Sequence, residues 1–211
     1  MQAQNHKTLI VHYLPTGANS NTKKLLDIFI SEVKNKKVTE IENLDLLKTS
    51  VPIFNEESIS AYYKRNYQGL KLNEAETKLL SQNDNLIKQF KSASLIVLAC
   101  PMHNFGYPAL MKAYIDAVVF HNETFAYNQK MMQGKRILTI YSSGGVYSNE
   151  KFNFEHQNSN SISLLANATF KFMGFDEVKT IGTSLRDSES YKNNLPKISS
   201  EIKEIADNWF N

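Results

Sequence analysis

Cysteine is nearly absent: the 211 residues hold one, Cys100. No intrachain disulfide and no multi-cysteine zinc site can be built from it. A reducing, cytoplasmic setting is therefore expected. No run of about 18 apolar residues occurs, so no membrane-spanning helix is expected. Residues 1–6 are polar and lack the apolar centre of a secretory signal. Nor is there a basic block. The net charge is +3 with lysines spread along the chain, whereas a nucleic-acid partner calls for a concentrated basic face. The small excess still favours anionic ligands such as nucleotides. Repeats, low-complexity tracts and an interdomain linker are also missing, so residues 1–211 are expected to form one domain.

What is present is enough apolar material for a core. Hydrophobic residues make up 42% and charged residues 21%, which argues against disorder. Residues 8–14 form a short β-branched run that stops at Pro15 and Gly17, as a buried strand does. Ser20-Asn21-Thr22 then opens a helix with Leu25, Ile28, Phe29 and Val33 on its core face. A short strand is expected over 38–44. Residues 49–72 are irregular and tyrosine-rich, with at most a turn or two of helix. Residues 73–91 are helical, with Leu79, Asn83, Leu86, Ile87 and Phe90 on one side. The run 94–100 is continuously apolar and suits a central parallel strand covered on both faces. A helix follows from Pro108 to about Val119, since proline is well tolerated at a helix start. Strands over 135–142 and 178–184 alternate with helices over 161–173 and 188–208. Such alternation argues for a parallel sheet wrapped on both faces, whose ligands gather at the carboxyl ends of the strands.

Three loops leave those ends. The first, residues 15–22, enters a helix whose unpaired N–H groups can cradle a phosphate; the plainer role is that Ser20 or Asn21 caps the helix. It lacks Gly-x-Gly-x-x-Gly and Gly-Lys-Ser/Thr, which disfavours a dinucleotide fold and an NTPase and leaves a monophosphate as the better guest. The second loop, residues 101–108, carries Met102, His103, Asn104, Phe105 and Tyr107. These are flat or polarizable surfaces and an amide with both donor and acceptor, suited to a planar ring, though ordinary packing also uses such residues. The third runs Ser142-Ser143-Gly144-Gly145, where glycine lets backbone approach a ligand. Cys100 has no recognisable His–Asp partner and reads as a core residue. Asp45 and Asp116 fall on expected loop and helix surface, so no metal site or carboxylate pair is expected.

Taken together, the loops resemble the FMN-dependent NADH:quinone oxidoreductases known as azoreductases. The likeness spans nearly the whole chain. It is most specific in PMHNFGYPALMKAYIDAVVFHNETFAYN (101–128) and GKRILTIYSSGG (134–145), where PM-x-NF, TF-x-Y and a serine–glycine loop follow in order. This resemblance implies an α/β, flavodoxin-like three-layer sandwich with a five-stranded parallel sheet in the order 2-1-3-4-5. It implies a homodimer with a shared site, noncovalent FMN, and NADH or NADPH as electron donor. Ser20, Asn21 and Thr22 would hold the FMN phosphate. Met102, His103, Asn104 and Phe105 would line the ring, and Ser142, Ser143, Gly144 and Gly145 would close the site. Phe125 and Tyr127, with Phe170 or Phe172, would form the substrate pocket from the partner copy. No catalytic side chain is implied, because flavin N5 carries the two electrons to a quinone or azo compound in a ping-pong exchange. Two positions depart from the family: Ser143 stands where many members have arginine, and Leu14 where many have a hydroxyl residue. An electron-carrier flavodoxin is the main alternative, and the aromatic 123–128 loop argues against it. A phosphate-ester hydrolase is a third reading, and it lacks a visible nucleophile.

Overall fold

The computed structural model describes residues 6–36, 39–145, 161–185 and 187–210. Five strands carry the chain's apolar runs: β1 (His6–His12), β2 (Thr39–Asp45), β3 (Leu95–Pro101), β4 (Arg136–Ser143) and β5 (Glu177–Ser184). All pair in parallel in the order β2-β1-β3-β4-β5, the order expected. Val38 of the expected second strand lies outside the described residues. Asp45 ends β2 instead of lying in a loop, and its register partner is His12.

Alternation sorts β3 between two cores. Leu95, Val97 and Ala99 face Leu25, Leu26, Phe29 and Val33 of α1 (Asn21–Asn35), and Ile198, Ile202 and Trp209 of α6 (Ser188–Phe210). Ile96, Leu98 and Cys100 face the other layer. That layer is α3 (Glu74–Ser92) with Leu86 and Phe90, α4 (Ala109–Val118) with Met111 and Tyr114, and α5 (Ser161–Met173) with Phe170. Covering on both sides is why β3 reads as an unbroken apolar run.

Three details differ from the sequence expectation. Leu26 is buried in the α1 core while Ile28 only packs against it. On α3 Leu80 is fully buried, with Leu79 only half-buried. Within the segment expected to be irregular, α2 (Glu56–Asn66) is a full 11-residue helix. Asn55 starts it with a capping box: its side chain accepts from Ser58 N–H at 2.8 Å, and Ser58 Oγ accepts from Asn55 N–H at 2.8 Å. Two orphan donors are satisfied at once. Among the described residues no helix is long and apolar enough to cross a membrane.

Candidate functional site

The register places the ends of β1, β3 and β4 side by side: His12 beside Ala99, and Pro101 beside Ser142. Their loops are then tied together. Thr22, in the first turn of α1, and Ser142, at the end of β4, share a buried hydroxyl–hydroxyl hydrogen bond of 2.8 Å. Met102 N–H donates to the Ser142 carbonyl at 2.8 Å. Tyr13 meets His103 edge-on, 5.8 Å between ring centres. The three loops singled out in the sequence thus converge on one rim.

At the first loop, Ser20 takes the capping role: its hydroxyl accepts from Lys23 N–H at 3.2 Å and its carbonyl from Lys24 N–H at 3.3 Å. The N–H groups of Asn21 and Thr22 are left with no acceptor inside the helix, at its electropositive end. The Asn21 side chain is already committed, donating to Leu185 O at 2.7 Å and accepting from Lys24 at 3.0 Å. Lys23 Nζ pairs with Asp27 at 2.6 Å, and the Lys24 ammonium also lies over Tyr191. What this end offers an anion is therefore mainly backbone, with the small hydroxyls beside it.

The second loop owes its shape to a two-residue reversal. His103 N–H donates to Gly106 O at 3.0 Å, and Gly106 N–H to His103 O at 2.9 Å. Asn104 and Phe105 between them both have positive φ, 46° and 68°, as a type I′ turn requires. A phenylalanine there stores backbone strain, and its ring is held 47% exposed. Tyr107 anchors the loop from below, with its hydroxyl 3.2 Å from Thr139 Oγ1. Ser161 Oγ donates to the Phe105 carbonyl. In the third loop Ser143 Oγ donates to Gly145 O at 2.5 Å, and a Cβ at Gly144 would meet no described residue within 4 Å. Cys100 lies beneath, fully buried, and burial pushes its thiol pKa up. A thiol so held is protonated and inert. Among the described residues no group of acidic, histidine or cysteine side chains is arranged to hold a metal.

Phe125, Tyr127 and Phe172, expected in the substrate pocket, form a cluster of their own. Thr124, buried after α4, donates to Val118 O at 2.6 Å and accepts from Phe120 N–H at 2.9 Å, folding the TF-x-Y segment back on the helix. A turn over 126–129, with Asn128 at φ 65°, carries Tyr127 at its tip, 63% exposed. Gly174 (φ 92°) ends α5 while Phe175 N–H reaches back to Phe170 O, a glycine-terminated helix end. A Cβ at Gly174 would meet Lys130 backbone at 2.5 Å, so this close approach sets Tyr127 and Phe125 beside Phe172. Phe172 is half exposed, while Phe170 is fully buried against Phe175. Phe170 is accordingly a core residue and offers no ring to a pocket. Phe125 is also mostly buried and supports the two exposed rings.

Sequence reasoning missed Tyr13, which joins the first two loops, and His121, which stacks on Tyr67 at 4.2 Å. The first has a strand-end position as its signal. The second sits in the most family-specific stretch but carries no local motif.

A family model described as "Flavodoxin-like fold" matches residues 6–206. The chain is 28% identical to FMN-dependent NADH:quinone oxidoreductase 1 of Bacillus anthracis, covering 95% of this chain and 94% of that protein. It is 29% identical to a protein of the same name from Bacillus cereus, covering 95% and 97%. The crystal structure of an FMN-dependent NADH-azoreductase from Bacillus anthracis str. Ames Ancestor in complex with FMN superposes with a TM-score of 0.84 at 27% identity, over 97% of this chain and 100% of that one. By fold, strand order and the extent of the match, the chain belongs to the flavodoxin-like fold family.

Proposed function

We propose that this protein is an FMN-dependent NAD(P)H:quinone oxidoreductase with azoreductase activity, working as a homodimer in a reducing, cytoplasmic setting. The observation that carries the reading is the joining of three strand-end loops at one rim through Thr22, Ser142 and Met102. The names of the relatives at 28–29% identity support it.

The residues present fit FMN. Two uncommitted N–H groups, Asn21 and Thr22, with the Ser20 hydroxyl beside them, match a monophosphate better than a longer phosphate chain. The 102–105 turn offers exposed apolar surface and an amide to a planar ring with a polar edge. Among the described residues nothing lies within 4 Å of a Cβ at Gly144, which leaves room for that edge. Bound FMN would supply the redox chemistry, taking two electrons at N5 from NADH or NADPH and giving them to a quinone or azo compound in a separate, ping-pong half-reaction. Within this reading Asn21 and Thr22 bind the phosphate. Met102, His103, Asn104 and Phe105 orient the ring, and Ser142 to Gly145 present donors to charge gathered at its edge. Tyr127 and Phe172 of one copy cover the rim of the other and exclude water.

The absorption spectrum of the purified protein tests the cofactor: bands near ~450 nm mark a bound flavin. Turnover of NADH with menadione tests the reaction. A colourless preparation that refuses added FMN overturns the reading. A flavin-loaded protein that nicotinamide does not reduce would be an electron carrier instead.

A further inference from the structure

A row of rings runs along one side of the molecule. Tyr63 stacks on Tyr67 with centres 5.1 Å apart, and Tyr67 stacks on His121 at 4.2 Å and 13°. His121 leans on Tyr127 at 5.5 Å, and Tyr127 meets Phe172 at 6.3 Å. Tyr63, Tyr67, Tyr127 and Phe172 are all exposed. Within this row His121 alone carries a ring nitrogen with an in-plane lone pair.

Its imidazole is held with unusual thoroughness for a surface histidine. Nδ1 lies 2.9 Å from the Asn66 carbonyl. A carbonyl only accepts, so Nδ1 carries the proton, and in the neutral ring Nε2 carries the lone pair. The His121 backbone N–H donates to Tyr62 Oη at 3.0 Å, and its carbonyl accepts from Asn66 Nδ2 at 2.8 Å. Asn122 Nδ2 donates to the same Asn66 carbonyl at 3.0 Å. Tyr67 covers one face of the ring. Nε2 makes no hydrogen bond to a described residue, and His121 is only half-buried. A side chain immobilised this way loses little further freedom when its free atom engages a ligand.

We propose that Nε2 of His121 is a specificity-determining hydrogen-bond acceptor on the substrate-facing aromatic wall, favouring flat aromatic molecules that carry a hydroxyl or amino group. This rests on the reading above, in which the wall covers the second copy's rim. A plain quinone has only accepting oxygens and gains nothing from a neutral Nε2. A phenolic hydroxyl or an aromatic amine donates to it, as does the hydroquinone left after two-electron reduction. A net hydrogen bond of ordinary strength corresponds to about a three- to tenfold preference.

The test uses full-length protein supplied with FMN and labelled with ¹⁵N-histidine. It is titrated with 2-naphthol and with 2-methoxynaphthalene, which keeps the ring but has no donor. The His121 Nε2 resonance is identified by its loss in His121→Phe, which keeps a flat ring against Tyr67. With 2-naphthol that resonance moves, with the methyl ether it does not, and 2-naphthol binds about three- to tenfold tighter. In His121→Phe the ratio falls to about one. Equal affinities in the unaltered protein overturn the proposal without needing the variant, and so does a shift at His103 in place of His121. Failure of the broader reading looks different, because the protein then neither takes up FMN nor turns over menadione, and this proposal falls with it.

Discussion

His12 ends β1 with its Nδ1 buried and without a hydrogen-bond partner. Asp45 Oδ1, across the register, is 3.8 Å away, too far for a hydrogen bond. Burial is the largest influence and lowers the His12 pKa from its ordinary 6.5; Asp45 pulls it up, while Lys48 and Lys23 push it down. The unfolded chain therefore binds a proton that the folded chain resists. This residue's contribution to stability is fully present above about pH 6.5 and is lost as the pH falls below it. Urea unfolding at pH 7.5 and 5.5 measures the loss, and His12→Asn is expected to lose less between the two. An equal loss in both proteins would assign the acid sensitivity elsewhere. Gly182 makes a different kind of demand. It pairs with Tyr141 in the β4–β5 register, and a Cβ there would run into the tyrosine ring. Gly182→Ala is expected to cost about 1–3 kcal/mol, the usual penalty for overpacking. Tyr141→Ala in the same chain should remove most of the added cost, so the two effects will not sum. Such atomic fits were hidden from sequence reading. The choice between Phe170 and Phe172 was equally hidden, because two aromatic residues a step apart on one helix look alike until burial separates them.

Among the elements, what was legible follows from burial. β3 announced itself because both of its faces are covered, and α1 because one face repeats at helical spacing. α2 was read short because its apolar residues Ile59 and Tyr63 are exposed and the residues it buries are Ser58, Ala61 and Asn66. Its capping box at Asn55 and Ser58 was the signal available. The three strand-end loops were readable as candidates from proline, glycine and hydroxyl residues. Their convergence was not, for it depends on the register of three separate strands. The 103–106 turn is a case where local sequence and structure conflict. Phe105 adopts φ 68°, a conformation that costs a side-chain-bearing residue about 1–2 kcal/mol and suits glycine after Asn104. Phe105→Gly is therefore expected to raise unfolding stability by about 1 kcal/mol. The exposed ring it removes belongs to the proposed flavin wall, so FMN affinity should fall in the same variant. Calorimetry and flavin titration read the two effects separately. A variant that is destabilised and still binds FMN unchanged would show that the strain serves no cofactor.

At the scale of the whole molecule several of the exposed aromatic residues lie in one row. Tyr63 on α2 and Tyr67 just after it continue through His121 to Tyr127 and Phe172. A continuous aromatic face of this kind marks an interaction surface, and aromatic enrichment is typical of one. In a two-fold dimer the same patch appears on both copies, so one substitution is felt twice. Phe172→Lys places a charge on each side of such a contact and is expected to weaken dimerisation about a hundredfold or more, with the fold of each copy intact because Phe172 is half exposed. Sedimentation of the unaltered protein should give a species of twice 24.1 kDa, and the variant should shift toward the monomer at micromolar concentration. If the face also covers the second copy's cofactor, FMN retention falls in step with dissociation and recovers as protein concentration rises. Loss of FMN that ignores concentration would tie Phe172 to its own copy's site, and a variant that stays dimeric would move the subunit contact to another face.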